Sequence, residues 1–157
     1  YGMKVIGGPI GGLLAQKMGS PSLLNALCLI VASGLIFTIS SIKPGGANVV
    51  SFVMFFVLFN ALICCLAKST MWAIMDEANI PLNLTGTAIA IITLIAIYVP
   101  DGILPLINGW LLDTYADDLP KAYSYYFTIL IGMALISAAA ALTIFIWRRK
   151  DKKCMLE

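Results

Sequence analysis

Two charged side chains lie within or beside the apolar stretches of this chain. Lys4 belongs to the apolar stretch that opens the chain, and Asp101 is the charge inside 86–112. Lys4 precedes Leu14 by about ten residues, so at 1.5 Å per residue it stands roughly 15 Å from the end of its helix. An ammonium at that depth is costly unless it is paired or faces water. There it would attract an anionic group on a solute, or else snorkel to the outer surface. Asp101 follows Thr87 by about fourteen residues, again well inside the hydrocarbon, and Pro100, Gly102 and Pro105 surround it. Each proline removes a backbone donor and disturbs the turn before it. A broken transmembrane helix is tolerated only where protein or a water-filled cavity covers it. Freed carbonyls plus a carboxylate can hold a proton or Na+, or orient a solute. The competing reading is a structural ion pair, or a kinked helix end near the outer interface. Asn60, midway along 49–67, is the third candidate. A buried amide needs partners, supplied either by a solute or by a neighbouring helix. Asn108, nearer the outer end of its span, has the same two readings.

Other chemistries are excluded or unsupported. The chain has no His, which removes His-based acid–base catalysis and His metal sites. Cys28, Cys64, Cys65 and Cys154 have neither disulfide nor metal-ligand spacing and read as small apolar fillers. Asp76 and Glu77 are adjacent, so they do not share a helix face. No nucleophile motif is present. The expectation is a protein that is not an enzyme, with no cofactor, no metal and no nucleic-acid partner, since its basic residues sit at helix ends and in one tail.

The elements that position these residues are helices in lipid. The chain is 61% hydrophobic and 11% charged, against about 25% charge in a soluble domain. The stretches 23–42, 49–67, 86–112 and 122–147 each approach the length needed for a bilayer core of roughly 30 Å, and a fifth, 5–14, runs into the first residue. This predicts an all-α, polytopic transmembrane helix bundle. Its spans fall at about 1–15, 23–42, 49–72, 86–112 and 122–147, followed by a basic tail at 148–157. Pro44-Gly45-Gly46 marks a tight turn, and Thr85 or Asn83 is the expected N-cap of the 86–112 span. Alternate connections lie on opposite sides. One side collects Lys17, Lys68, Arg148, Arg149, Lys150, Lys152 and Lys153, and the other only Lys43 and Lys121, beside Asp113, Asp117 and Asp118. The positive-inside bias puts the C-terminus in the cytoplasm. Trp110, Tyr115, Tyr123, Tyr125 and Tyr126 form an outer aromatic belt. Gly7, Gly8, Gly11 and Gly12 make two overlapping G-x-x-x-G pairs suited to close helix packing. Ala134, Ala138 and Ala141 with Gly132 make a similar small face.

One connection is more specific. Gly12-Leu13-Leu14-Ala15-Gln16-Lys17-Met18-Gly19 follows the spacing G-x-L-A-D-R/K-x-G and resembles the cytoplasmic loop motif of major facilitator superfamily transporters. Four long spans and a basic tail follow, so it resembles the second copy, between helices eight and nine. The stretches from Asn79 to Ala88, from Pro100 to Gly102 and from Gly109 to Asp113 look like helix eleven of bacterial members. The resemblance implies a partial second six-helix half, running from the end of helix eight through helix twelve, with the N-terminal half of the same protein missing. It implies a multi-pass protein of a bacterial inner membrane, embedded in the lipid bilayer. The implied function is a secondary active transporter working by alternating access on a small anionic solute, coupled to H+, Na+ or an exchanged anion. Lys4, Asp101 and Asn60 would bind solute or couple it, and Gly12, Gln16, Lys17 and Gly19 would form the gating loop. Two positions depart from the pattern. Gln16 replaces the acid and loses a charge–dipole contribution of roughly 0.3–1 kcal/mol, and Ser20 replaces the basic residue after the second glycine. The alternative is an integral-membrane accessory or interaction subunit without transport activity.

Overall fold

Long apolar sequence in hydrocarbon must satisfy its own peptide groups, and a helix does so within a single segment. The structure, a computed structural model, describes residues 2–42, 46–71, 73–74 and 81–154, and among these there is no strand. Helix α1 is Gly2–Met18, α2 is Pro21–Ser41 and α3 is Ala47–Met71. Helix α4, Leu82–Thr93, passes through a π turn at Leu94–Tyr98 into α5, Val99–Thr114, and α6 runs over Leu119–Cys154. Among the described residues, four stretches are long and apolar enough to cross a membrane: Pro21–Ser41, Asn48–Met71, Leu84–Thr114 and Leu119–Trp147. The protein is an all-helical, multi-pass membrane protein.

The helix ends differ from expectation in three places, each for a local reason. The connection after α1 is only Gly19 and Ser20. Gly19 adopts a φ of 64°, the left-handed cap that glycine enters without a Cβ penalty, and its N–H donates to the Gln16 carbonyl at 3.2 Å. Ser20 then caps α2, its Oγ accepting from the Leu23 N–H at 3.4 Å. Pro21 follows at the first helical position, where a missing N–H costs nothing. The cap of α4 is Pro81, without a side-chain bond. Thr85 lies inside the first turn instead, and its hydroxyl donates to the Pro81 carbonyl at 3.1 Å. The side chain of Asn83, the acids Asp76 and Glu77, and the turn residues Lys43, Pro44 and Gly45 lie outside the described residues. Finally, the basic segment after Trp147 continues α6 as far as Cys154. Lys and Arg are good helix formers and suit the negative end of the helix dipole.

The chain divides into two compact units, residues 1–78 with 130–157, and residues 79–129. In the first, α3 packs on both α1 and α2. Its core joins Ala15, Leu24, Cys28, Leu66 and Ala67, with Ile63 packed against them. The Asn25 Nδ2 donates to the Ala67 carbonyl at 3.4 Å, tying α2 to α3. Thr70, almost wholly buried, turns its hydroxyl back onto the Leu66 and Ala67 carbonyls. Glycine lets α1 approach α3. A Cβ on Gly7 would stand 2.8 Å from the Cys65 Cβ, and one on Gly11 would meet the Ser69 Oγ and lie 3.3 Å from the Leu66 carbonyl oxygen. Gly8 and Gly12 have nothing within 4 Å of that position. Of the two overlapping pairs, therefore, Gly7 and Gly11 form the packing face. Of the small face expected in α6, Ala138 and Ala141 are buried, whereas Ala134 is half-buried and a Cβ on Gly132 would meet nothing within 4 Å.

The second unit holds α4, the π turn, α5 and the start of α6. Asp118 caps α6, its Oδ1 accepting from the Lys121 N–H at 3.3 Å. The Lys121 Nζ lies 5.6 Å from the Tyr115 ring centre, and the Tyr115 and Tyr125 rings are 5.4 Å apart. This is the aromatic cluster expected at that end of the spans. Trp110 and Tyr123 are exposed beside it.

Candidate functional site

Helix α3 carries Asn60 at the middle of the Asn48–Met71 span. Its Oδ1 is buried and has no hydrogen-bond partner. A buried acceptor left unmade costs about 1–3 kcal/mol, and among the described residues no partner meets this one. Lys4 lies in α1, and its side chain is outside the described residues. The helix register still locates the residue. Gly7 stands beside Cys65 and Gly11 beside Ser69, so α1 and α3 run parallel with one constant offset. The same offset sets Lys4 level with Leu62, and Asn60 lies about 3 Å further along the axis at 1.5 Å per residue. Two of the three residues singled out for solute binding thus sit at one depth in the first unit.

The loop-motif residues gather at the other end of α1. Gly12, Gln16 and Gly19 line an open hollow of about 370 Å3 together with Pro21, Ser69 and Thr70. Gly12 lines it without a Cβ, and α1 ends beside it at the left-handed Gly19. Ser69 and Thr70 direct their hydroxyls at carbonyls of their own helix, which leaves Gln16 as the polar group free to meet an occupant. Gln16 and Lys17 are both exposed, and Lys17 is not part of the lining.

Asp101 belongs to the second unit. It lies in the first turn of α5, near the midpoint of the 31-residue Leu84–Thr114 span, and it is exposed. The most apolar part of this span has no buried residue. The helix is not broken at Pro100. Instead the turn before it widens, and the Val99 N–H donates to the Leu94 carbonyl five residues back. A proline ring collides with the carbonyl four residues before it, and a π turn opens the ladder to accommodate the ring. Pro100 gives no N–H to the preceding turn. Pro105, also within α5, gives none to the Asp101 carbonyl four residues before it. Asn108, half-buried, lies two turns along the same face as Asp101.

Three residues have structural roles that the sequence reading did not assign to them: Asn25, Ser20 and Asp118. Asn25 is a polar residue early in an apolar span, the same signal that marked Asn60. Ser20-Pro21 and Asp118-Leu119-Pro120 each set a capping side chain just ahead of a proline in the first turn, a recognisable helix-start pattern. Among the described residues no group of three His, Cys, Asp or Glu is placed to hold a metal ion. No protein-family model, no curated protein and no solved structure matches this chain.

Proposed function

We propose that this chain is part of a secondary active transporter of the major facilitator type, moving a small anionic solute by alternating access. Lys4 supplies the attraction for the anionic group, Asn60 a hydrogen bond at the same depth, and Asp101 the charge that couples solute movement to an ion. The turn formed by Gly12, Gln16, Lys17 and Gly19 acts at the gate, its hollow receiving part of the facing half of the protein. That half, N-terminal to this chain, would cover the side of Leu84–Thr114 that carries Asp101.

The observation that carries the reading is Asp101. A carboxylate near the middle of an apolar span, on a stretch unburied by its own chain, is costly in lipid and marks an ion or solute path by default. The uncovered flank of that span also fits an accessory subunit whose helices pack on a partner. Uptake separates the two. The product of the full reading frame, reconstituted in liposomes, is expected to accumulate labelled organic or inorganic anions. Lys4→Ala is expected to abolish uptake while the protein still inserts and purifies as a single species. Normal uptake by that variant removes Lys4 from the site. Uptake of no anion by the wild-type protein favours the accessory subunit.

A further inference from the structure

We propose that the half of α3 leading up to Asn60 binds an aromatic carboxylate that carries an N–H or O–H donor, with its ring against Phe55 and Phe59 and its donor on the Asn60 Oδ1. This names the solute class of the site proposed above and rests on that reading. The Phe55 and Phe59 rings are parallel to within 6°, with centres 6.4 Å apart. Phe56 meets Phe55 edge-on at 6.1 Å and lies 4.6 Å from Phe52. The four rings form one continuous aromatic surface, and Phe52, Phe55 and Phe59 are 51%, 65% and 43% exposed. This surface is not simply the outer side of the helix. Phe52, Phe56, Phe59 and Ile63 recur at i, i+4, i+7 and i+11 on one face, and Ile63 packs against the core that α1, α2 and α3 share. The face that packs inside the protein at one end of α3 is therefore uncovered at the other. Asn60 stands where the two parts meet, half-buried, its Oδ1 sealed from solvent and without a partner among the described residues.

The chemistry of this surface selects the occupant. An amide oxygen only accepts, so whatever meets Asn60 brings a donor. A lipid acyl chain would cover the rings and leave that oxygen unmade. An aromatic ring meets phenylalanine in offset or edge-on contacts that an aliphatic group cannot make. The negative end follows from Lys4. The register set at Gly7 and Gly11 puts Lys4 level with Leu62, about 10 Å along the axis from Phe55 at 1.5 Å per residue. A two-ring aromatic acid spans that distance, so ring, donor and carboxylate each find a counterpart along one stretch of the span.

The test is equilibrium binding of labelled indoleacetate to the purified product of the full reading frame in detergent. Two competitors dissect the site: the N-methyl analogue, which lacks the N–H, and cyclohexylacetate, which lacks the aromatic ring. Wild type is expected to bind indoleacetate saturably and each competitor roughly two- to tenfold more weakly, the order of one lost hydrogen bond or one lost aromatic contact. Asn60→Leu is expected to erase the difference between indoleacetate and its N-methyl analogue. Phe55→Leu, which removes an exposed ring, is expected to narrow the difference between indoleacetate and cyclohexylacetate. The competitor series needs wild type alone, so it decides the matter even where a variant misfolds. Absence of saturable binding, or equal binding of all three acids (an apolar surface only), overturns the site, and so does a folded variant that keeps the wild-type discrimination. Selective binding by a protein that takes up no anion removes the transporter reading and leaves the aromatic site standing. Uptake of other anions without binding of indoleacetate does the reverse.

Discussion

At the scale of single residues, glycine at the α1–α3 contact gives the sharpest expectations. The Cys65 Cβ is fixed to its backbone and cannot swing away, so Gly7→Ala must push the helices apart. Overpacking of this kind costs about 1–3 kcal/mol. Gly11→Ala should cost less, because the Ser69 hydroxyl it meets can rotate. Gly8→Ala meets nothing and should be neutral or stabilising by about 0.5–1 kcal/mol, since Ala favours the helix. Thermal unfolding of the three variants in detergent checks the order, and equal stability of Gly7→Ala and Gly8→Ala would sink it. The sequence showed that small residues recur at helical spacing. It did not show which of the two overlapping pairs faces a neighbour, because that depends on how α1 is rotated about its axis. Asn60 has the same limit. Its mid-span position was legible, but the missing partner of its Oδ1 becomes visible only once α2 and α3 are packed. Asn60→Leu should therefore leave stability unchanged or raise it, since replacing an unmade acceptor by apolar volume removes a penalty. A clear loss of stability would reveal a partner bond.

At the scale of elements, the spans were readable because hydrocarbon leaves so few backbone solutions, and the described residues of each expected stretch are helical apart from Ile42, which ends α2 in extended conformation. Their ends were less readable. The connection after α1 looked longer than it is, because a glycine in left-handed conformation and a serine cap reverse the chain in two residues. Ser20, read as the loss of a motif cation, caps α2. Ser20→Ala should lower stability by about 1 kcal/mol, whereas Ser20→Asp should keep it. Melting curves that do not separate these variants would refute the capping role. The turn before Pro100 was legible as disturbed and is so. The form of the disturbance was not, because break, kink and π turn all relieve the same collision, and packing with neighbours selects among them. Asn25 makes the same point from the other side. Its polar side chain early in an apolar span was legible, but its partner, the Ala67 carbonyl, shows only once α2 packs on α3. Asn25→Leu should loosen α2 from α3 by about 0.6 kcal/mol, the average for such bonds in membranes, a loss readable in the same melting curves.

At the scale of the whole molecule, charge predicts which way the spans cross the membrane. Lys17 lies at the end of α1 and Lys68 near the end of α3, and the five basic residues from Arg148 to Lys153 close the chain. The turn between α5 and α6 has Lys121 alone against Asp113, Asp117 and Asp118, and Lys121 is engaged over the Tyr115 ring. Moving either set across the bilayer is opposed unequally, because cationic residues flanking a span resist translocation and acids contribute little. The turn at 115–118 is therefore expected outside and the C-terminus inside. Asp117→Cys, in a background with the native cysteines replaced by Ser or Ala, should react in intact cells with a membrane-impermeant maleimide. An epitope tag after Glu157 should be reached by antibody only after permeabilisation. The arrangement is two-sided, so the readouts must agree. Labelling of the tag in intact cells, together with no maleimide reaction of the Asp117→Cys variant, would invert the topology, carrying the Gly12–Gly19 turn to the outer face and removing it from any cytoplasmic gate.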